Sequence, residues 1–97
     1  MYRVTTPTHT FRLPFEAEMI DKLRLTYKQN GKTILEKTEE DVELVDNKIV
    51  ITLSQKETKS FADKKALVQL RVKIGDKVMA SNIIELLVTN VLNDEVI

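Results

Sequence analysis

Lys22-Leu23-Arg24-Leu25-Thr26-Tyr27-Lys28-Gln29-Asn30-Gly31-Lys32-Thr33-Ile34-Leu35-Glu36-Lys37 carries the clearest structural signal in the chain. Leu23, Leu25 and Tyr27 recur at every second position, with Lys22, Arg24, Thr26 and Lys28 around them. A strand places such a set on one face and its polar alternates on the other. A helix would set Leu23 and Leu25 about 200° apart and leave one of them wet. Asn and Gly both tolerate positive φ, which a type I′ turn requires at its two central residues. The stretch is predicted to be an antiparallel hairpin turning at Asn30-Gly31.

The same two-residue rhythm continues outward. Towards the N-terminus, Phe11, Leu13 and Phe15 alternate with Thr10, Arg12 and Pro14. Proline cannot donate to a ladder, so this strand is expected at a sheet edge, or to end near Pro14. Towards the C-terminus, a charged connection, Glu39-Glu40-Asp41, leads into Val42-Glu43-Leu44. Asp46-Asn47 then marks a second hairpin, into Lys48-Ile49-Val50-Ile51-Thr52-Leu53. Ser54-Gln55-Lys56-Glu57 has the form of a capping box, which predicts one short helical turn near residues 54–60. Phe61 would follow as a plug at the end of the sandwich. Ala66, Val68, Leu70, Val72 and Ile74 define a long strand, closed by a tight turn at Gly75-Asp76. In the return segment apolar residues fall on both parities, at Ile83-Ile84 and Leu86-Leu87-Val88. Two accounts are open: a β-bulge that shifts the register, or a strand covered on both faces.

About seven short strands with turn signals near every ten residues predict an all-β fold, an immunoglobulin-like antiparallel β-sandwich; a small closed barrel is the other architecture. The length suits one domain over residues 1–97, with flexible or partner-binding arms at 1–8 and 91–97. Val91, Leu92, Val96 and Ile97 are the residues expected to face a partner.

Composition excludes more than it selects. Hydrophobic residues at 42% and charged residues at 31% are those of an ordinary globular protein. No apolar run approaches the roughly 20 residues that span a bilayer, and residues 1–7 lack the apolar core of a secretory signal. No membrane association is expected, and a cytoplasmic location is. Fifteen basic side chains balance fifteen acidic ones. The balance also holds locally: eight against nine over residues 1–48, and seven against six over 49–97. A nucleic-acid binder would show a positive excess, so no nucleic-acid partner is expected. Cysteine is absent, which removes disulfides, thiolate chemistry and cysteine-zinc sites. Stability must come from a packed core, which self-association would supplement.

No constellation points to catalysis, a cofactor or a metal. His9 is the single histidine and reads as a hydrogen-bonding or solvent-facing residue. Ser54, Ser60 and Ser81 lack a nucleophile-elbow context, and two turn glycines cannot build a phosphate loop. Glu36, Glu39, Glu40, Asp41, Glu43 and Asp46 form an acidic run that reads as a solvated, self-repelling loop, with a weak cation site as the alternative. Lys64-Lys65, two lysines in a polar turn, read as solvated residues that aid solubility and not as a phosphate groove. Three of the five aromatics, Tyr2, Phe11, Phe15, Tyr27 and Phe61, fall on core parities, so packing accounts for them better than a stacking platform does.

Thr6-Pro7-Thr8-His9-Thr10-Phe11, Leu25-Thr26-Tyr27-Lys28-Gln29-Asn30-Gly31-Lys32, Leu35-Glu36-Lys37-Thr38 and Val91-Leu92-Asn93-Asp94-Glu95-Val96 resemble segments of small prophage-encoded structural proteins of Gram-positive gut bacteria. The order of strand, Asn-Gly turn, strand and polar segment before a long strand is more distantly similar to the N-terminal β-sandwich of phage baseplate upper proteins. The resemblance implies a non-enzymatic structural or assembly protein, associated with a virion, tail or baseplate. Its implied partners are itself, as a homo-oligomer, or other phage structural proteins. The implied location is the host bacterial cytoplasm during assembly, or the virion. The alternative reading is a carbohydrate- or host-surface-binding sandwich, against which the 5% aromatic content and the lack of tryptophan weigh.

Overall fold

A computed structural model describes all 97 residues. The strands are β1 (Thr8–Arg12), β2 (Lys22–Gln29), β3 (Lys32–Thr38), β4 (Glu43–Val45), β5 (Lys48–Thr52), β6 (Ala66–Ile74), β7 (Lys77–Ala80) and β8 (Ile84–Leu86), with one helix, α1 (Gln55–Lys59), between β5 and β6. They form two sheets, not a closed barrel: one ordered β1-β5-β4, the other β3-β2-β6-β7 with β8 also on β6. Every ladder is antiparallel. The hairpins β2–β3, β4–β5 and β6–β7 each stay within a sheet, while β1 to β2, β3 to β4 and β5 to β6 cross between sheets. Matching β1, β5 and β4 to immunoglobulin strands B, E and D, and β3, β2, β6 and β7 to C′, C, F and G, reproduces that fold's pairing. The sandwich is immunoglobulin-like.

Local chemistry sets the turns. Asn30 and Gly31 take φ of 51° and 74°, so the β2–β3 hairpin closes in the left-handed conformation that these two residues tolerate. Gln29 faces Lys32, and the register then slips so that Tyr27 faces Leu35. Ile34 is the extra residue, a bulge that adds local twist. The Ser54 hydroxyl accepts from the Glu57 amide at 3.1 Å, and Glu57 accepts from the Ser54 amide at 2.9 Å, as the capping-box reading expects. Glu57 also pairs with Lys37 of β3, tying the helix to the large sheet. The connection Glu39–Asp41 is an ordered 3-10 turn with its own capping box from Thr38 and Asp41.

The core follows the parities. Leu23, Leu25 and Tyr27 from β2, Ile49 and Ile51 from β5, and Ala66, Val68, Leu70 and Val72 from β6 are buried between the sheets. Phe61 is buried at the end of the sandwich, edge-on to Tyr27 with ring centroids 5.7 Å apart. Phe11, Leu13 and Phe15 are only half-buried, because β1 lies at the edge of its sheet.

The return segment contains a bulge. Arg71 faces Ala80, but Val68 faces Ile84, so three residues lie opposite two. Ser81 fills the gap: its amide donates to the Leu70 carbonyl at 2.8 Å, and its hydroxyl accepts from the Leu70 amide at 3.0 Å. The segment is not covered on both faces. Val78, Met79, Ile83, Ile84 and Leu87 are exposed.

The first seven residues are laid along the domain. Tyr2 bridges Thr89 in parallel, the Arg3 amide donates to the Thr89 carbonyl, and Val4 is buried. The Arg3 guanidinium donates to the carbonyls of Phe61 and Lys59 and to Asn90 Oδ1, at 2.6, 2.8 and 2.6 Å. These residues stand where an immunoglobulin strand A would run, but their backbone pairs only at Met1–Arg3, with Thr89, and at Pro7, whose carbonyl accepts from the Leu53 amide.

Candidate protein-contact surface

An incomplete strand A leaves one side of the sandwich open. Between edge strand β1 and the β7–β8 edge runs a groove of about 520 Å³, lined chiefly by Phe11, Leu13, Phe15, Leu70, Met79 and Ile84. The β7–β8 edge beside it presents Val78, Ile83 and Leu87, at 57%, 59% and 72% exposure. Unpaired strand edges are pairing templates, and natural proteins usually blunt them with charge. Here only Lys77 and Glu85 do so along the strands themselves, and the bulge at Ser81 twists the middle.

The four residues expected to face a partner lie on the last segment. Leu92 and Ile97 are almost fully exposed and Val96 is 41% exposed, while Val91 is half-buried. The segment is held by Gln55: its side-chain amide donates to the Ile97 carbonyl at 2.7 Å and accepts from the Ile97 amide at 2.9 Å. The arm thus runs back past α1 with its apolar side chains outward.

The residues screened for chemistry sit apart from one another. His9 points into the sandwich, with Nδ1 2.7 Å from the Tyr27 hydroxyl. Burial raises the Tyr27 phenol well above its ordinary value, with the Glu57 charge adding to the effect. The Ser54 hydroxyl caps α1, that of Ser60 donates to the Glu57 carbonyl, and that of Ser81 serves the bulge. In the acidic run, Glu39 accepts from the Leu23 amide at 2.9 Å and Asp41 caps Thr38. Backbone hydrogen bonds hold both carboxyls below their ordinary values. No three His, Asp or Glu side chains converge as a metal set would. No helix is long and apolar enough to cross a membrane.

The chain matches no protein-family model, no curated protein and no solved structure.

One surface feature was not visible in the charge balance. On the outer face of the large sheet, Lys22 lies directly opposite Lys73, and Arg24 directly opposite Arg71. The four cations border a shallow depression of about 230 Å³ with Val78 at its rim. Only Arg24 has carboxylate partners, Glu36 at 3.9 Å and Glu39 at 3.5 Å. The alternation of β2 and β6 predicts that these side chains face outward. Their juxtaposition depends on the β2–β6 register, which pairs residues about fifty positions apart.

His9 also makes stability depend on pH. Burial lowers its pKa below the ordinary 6.5, and the positive amino terminus lowers it further. The unfolded chain therefore takes up a proton that the folded chain refuses. The His9 contribution is fully present above pH 6.5 and is lost as pH falls through the depressed folded value. The urea midpoint is expected to drop between about pH 7 and about pH 5, and His9→Gln should flatten that slope. Glu39, Asp41 and Glu57, with depressed carboxyls, act only below their ordinary values of 4.5, 3.8 and 4.5, so the two windows are separable. An unchanged slope in His9→Gln would remove His9 as the cause.

Proposed function

We propose that this chain is a non-enzymatic phage or prophage structural module that works through protein–protein contacts, with copies of itself or with neighbouring virion, tail or baseplate proteins. The observation that carries it is the open apolar side, where the β7–β8 edge and its groove leave a run of large side chains in water. Burying such an edge against another chain is favourable at about 25 cal/mol per Å² of apolar surface, and free ladder groups add direction. The apolar arm at 91–97 is a second surface of the same kind. Carbohydrate recognition gains little support, because Tyr2 is the one exposed aromatic side chain.

Sedimentation of the full-length protein over a wide concentration range tests this, together with mass spectrometry of purified particles. Concentration-dependent association is expected, weakened at least tenfold in Ile83→Lys/Ile84→Lys, which places charge on the edge. A strict monomer that is absent from particles overturns the proposal. Selective binding on a glycan array, undiminished in the edge variant, would favour the carbohydrate reading instead.

A further inference from the structure

We infer that the basic outer face of the large sheet, at Lys22, Arg24, Arg71 and Lys73, is the docking site for the acidic C-terminal arm of a second copy of this chain. The inference rests on the self-association reading above and names the two surfaces that would meet.

Two directly opposed like-charge pairs in succession are unfavourable on a sheet, by roughly 0.2–1 kcal/mol each. Lys22, Arg71 and Lys73 make no ion pair within the chain, and Arg24 is only partly offset by Glu36 and Glu39. The chain is neutral overall, so this positive field is local and has a negative counterpart elsewhere. The arm supplies one. Asp94 and Glu95 are exposed and unpaired, and Val96 and Ile97 follow them directly. The acceptor has the same order of chemistry. Lys73 lies directly opposite Val78, so the cations end in an exposed apolar side chain on the same face. Two carboxylates over the quartet would set Val96 against Val78.

The Gln55 amide holds the Ile97 backbone, which limits the disorder that docking must remove. No aromatic side chain lies on this face among the cations, so a single nucleic-acid strand finds nothing to stack on. Exchanged reciprocally, this contact closes a two-fold dimer; made in one direction only, it is heterologous and generates rings or filaments.

Charge substitution on both sides tests the contact in the full chain. Arg71→Glu/Lys73→Glu cancels the net charge of the face, because Lys22 and Arg24 remain opposite the new carboxylates, and Asp94→Lys/Glu95→Lys reverses the arm. The face variant turns both like pairs into opposite pairs, so it should fold at least as stably as the parent, which thermal melting checks. At low salt each variant alone is expected to lose association about tenfold or more, as charge pairs across an interface do. An equimolar mixture should recover one-to-one pairing, because the acidic arm of the face variant then meets the unaltered basic face of the arm variant. Association that survives both sets of substitutions overturns this docking but leaves the self-association reading standing. A parent that is monomeric under every condition removes both. Loss without recovery in the mixture also overturns the docking, as does reversal-sensitive binding of a DNA duplex or anionic vesicles that the arm peptide, residues 91–97, fails to displace.

Discussion

Tyr27→Ala is expected to cost about 3–5 kcal/mol, enough to leave a domain of ordinary stability largely or wholly unfolded. The side chain is fully buried near the centre of β2. Its ring meets Phe61 edge-on at 5.7 Å and His9 at 5.8 Å, and its hydroxyl bonds His9 Nδ1 at 2.7 Å. Truncation would open a cavity that both sheets line, and it would leave the half-buried imidazole without its partner. Tyr27→Phe keeps the ring and loses only the hydrogen bond, so about 1 kcal/mol is expected. Urea denaturation of the two variants measures both quantities. If Tyr27→Ala stays within about 1 kcal/mol of the parent, the ring is not the centre of the core.

Thr58→Val, which preserves shape, is expected to cost about 1–3 kcal/mol. Thr58 is fully buried on α1. Its hydroxyl donates to the Thr5 carbonyl at 2.9 Å and accepts from the Thr5 amide at 3.0 Å. Valine would leave both backbone groups of Thr5 unpaired. The neighbouring Val4 holds φ at 57°, an unfavourable conformation for a β-branched residue. The Thr58 clamp and the Arg3 hydrogen bonds hold the segment in it. Amide exchange locates the effect: protection should fall over residues 1–7 and 87–90, while the β2–β6 ladder keeps its order of protection. Unchanged exchange at Thr5 would show that the clamp does not hold this segment.

Much of the architecture was legible because its signals are local. The Asn30-Gly31 turn, the Ser54–Glu57 capping box and the parities of β2, β5 and β6 each depend on residues within a few positions of one another. The bulge at Ser81 was legible only as one of two alternatives, since a parity conflict reveals a register shift without showing what fills it. Thr58 and Gln29 gave no local signal. Gln29 bonds the Ala62 amide and the carbonyls of Ala62 and Lys64, partners more than thirty residues away.

By itself, the order of residues determined which side chains of β2, β5 and β6 turn to the core, because alternation on a pleated strand sorts them between two faces before any strand has found its partner. Tertiary structure alone decided which strands meet. That decision left one side of the sandwich open beside β7 and β8, laid residues 1–7 against residues 87–90, and brought four cations from β2 and β6 onto one face of a neutral chain. Register couples distant segments through ladder hydrogen bonds and shared core volume, and neither is carried by any short stretch of the chain.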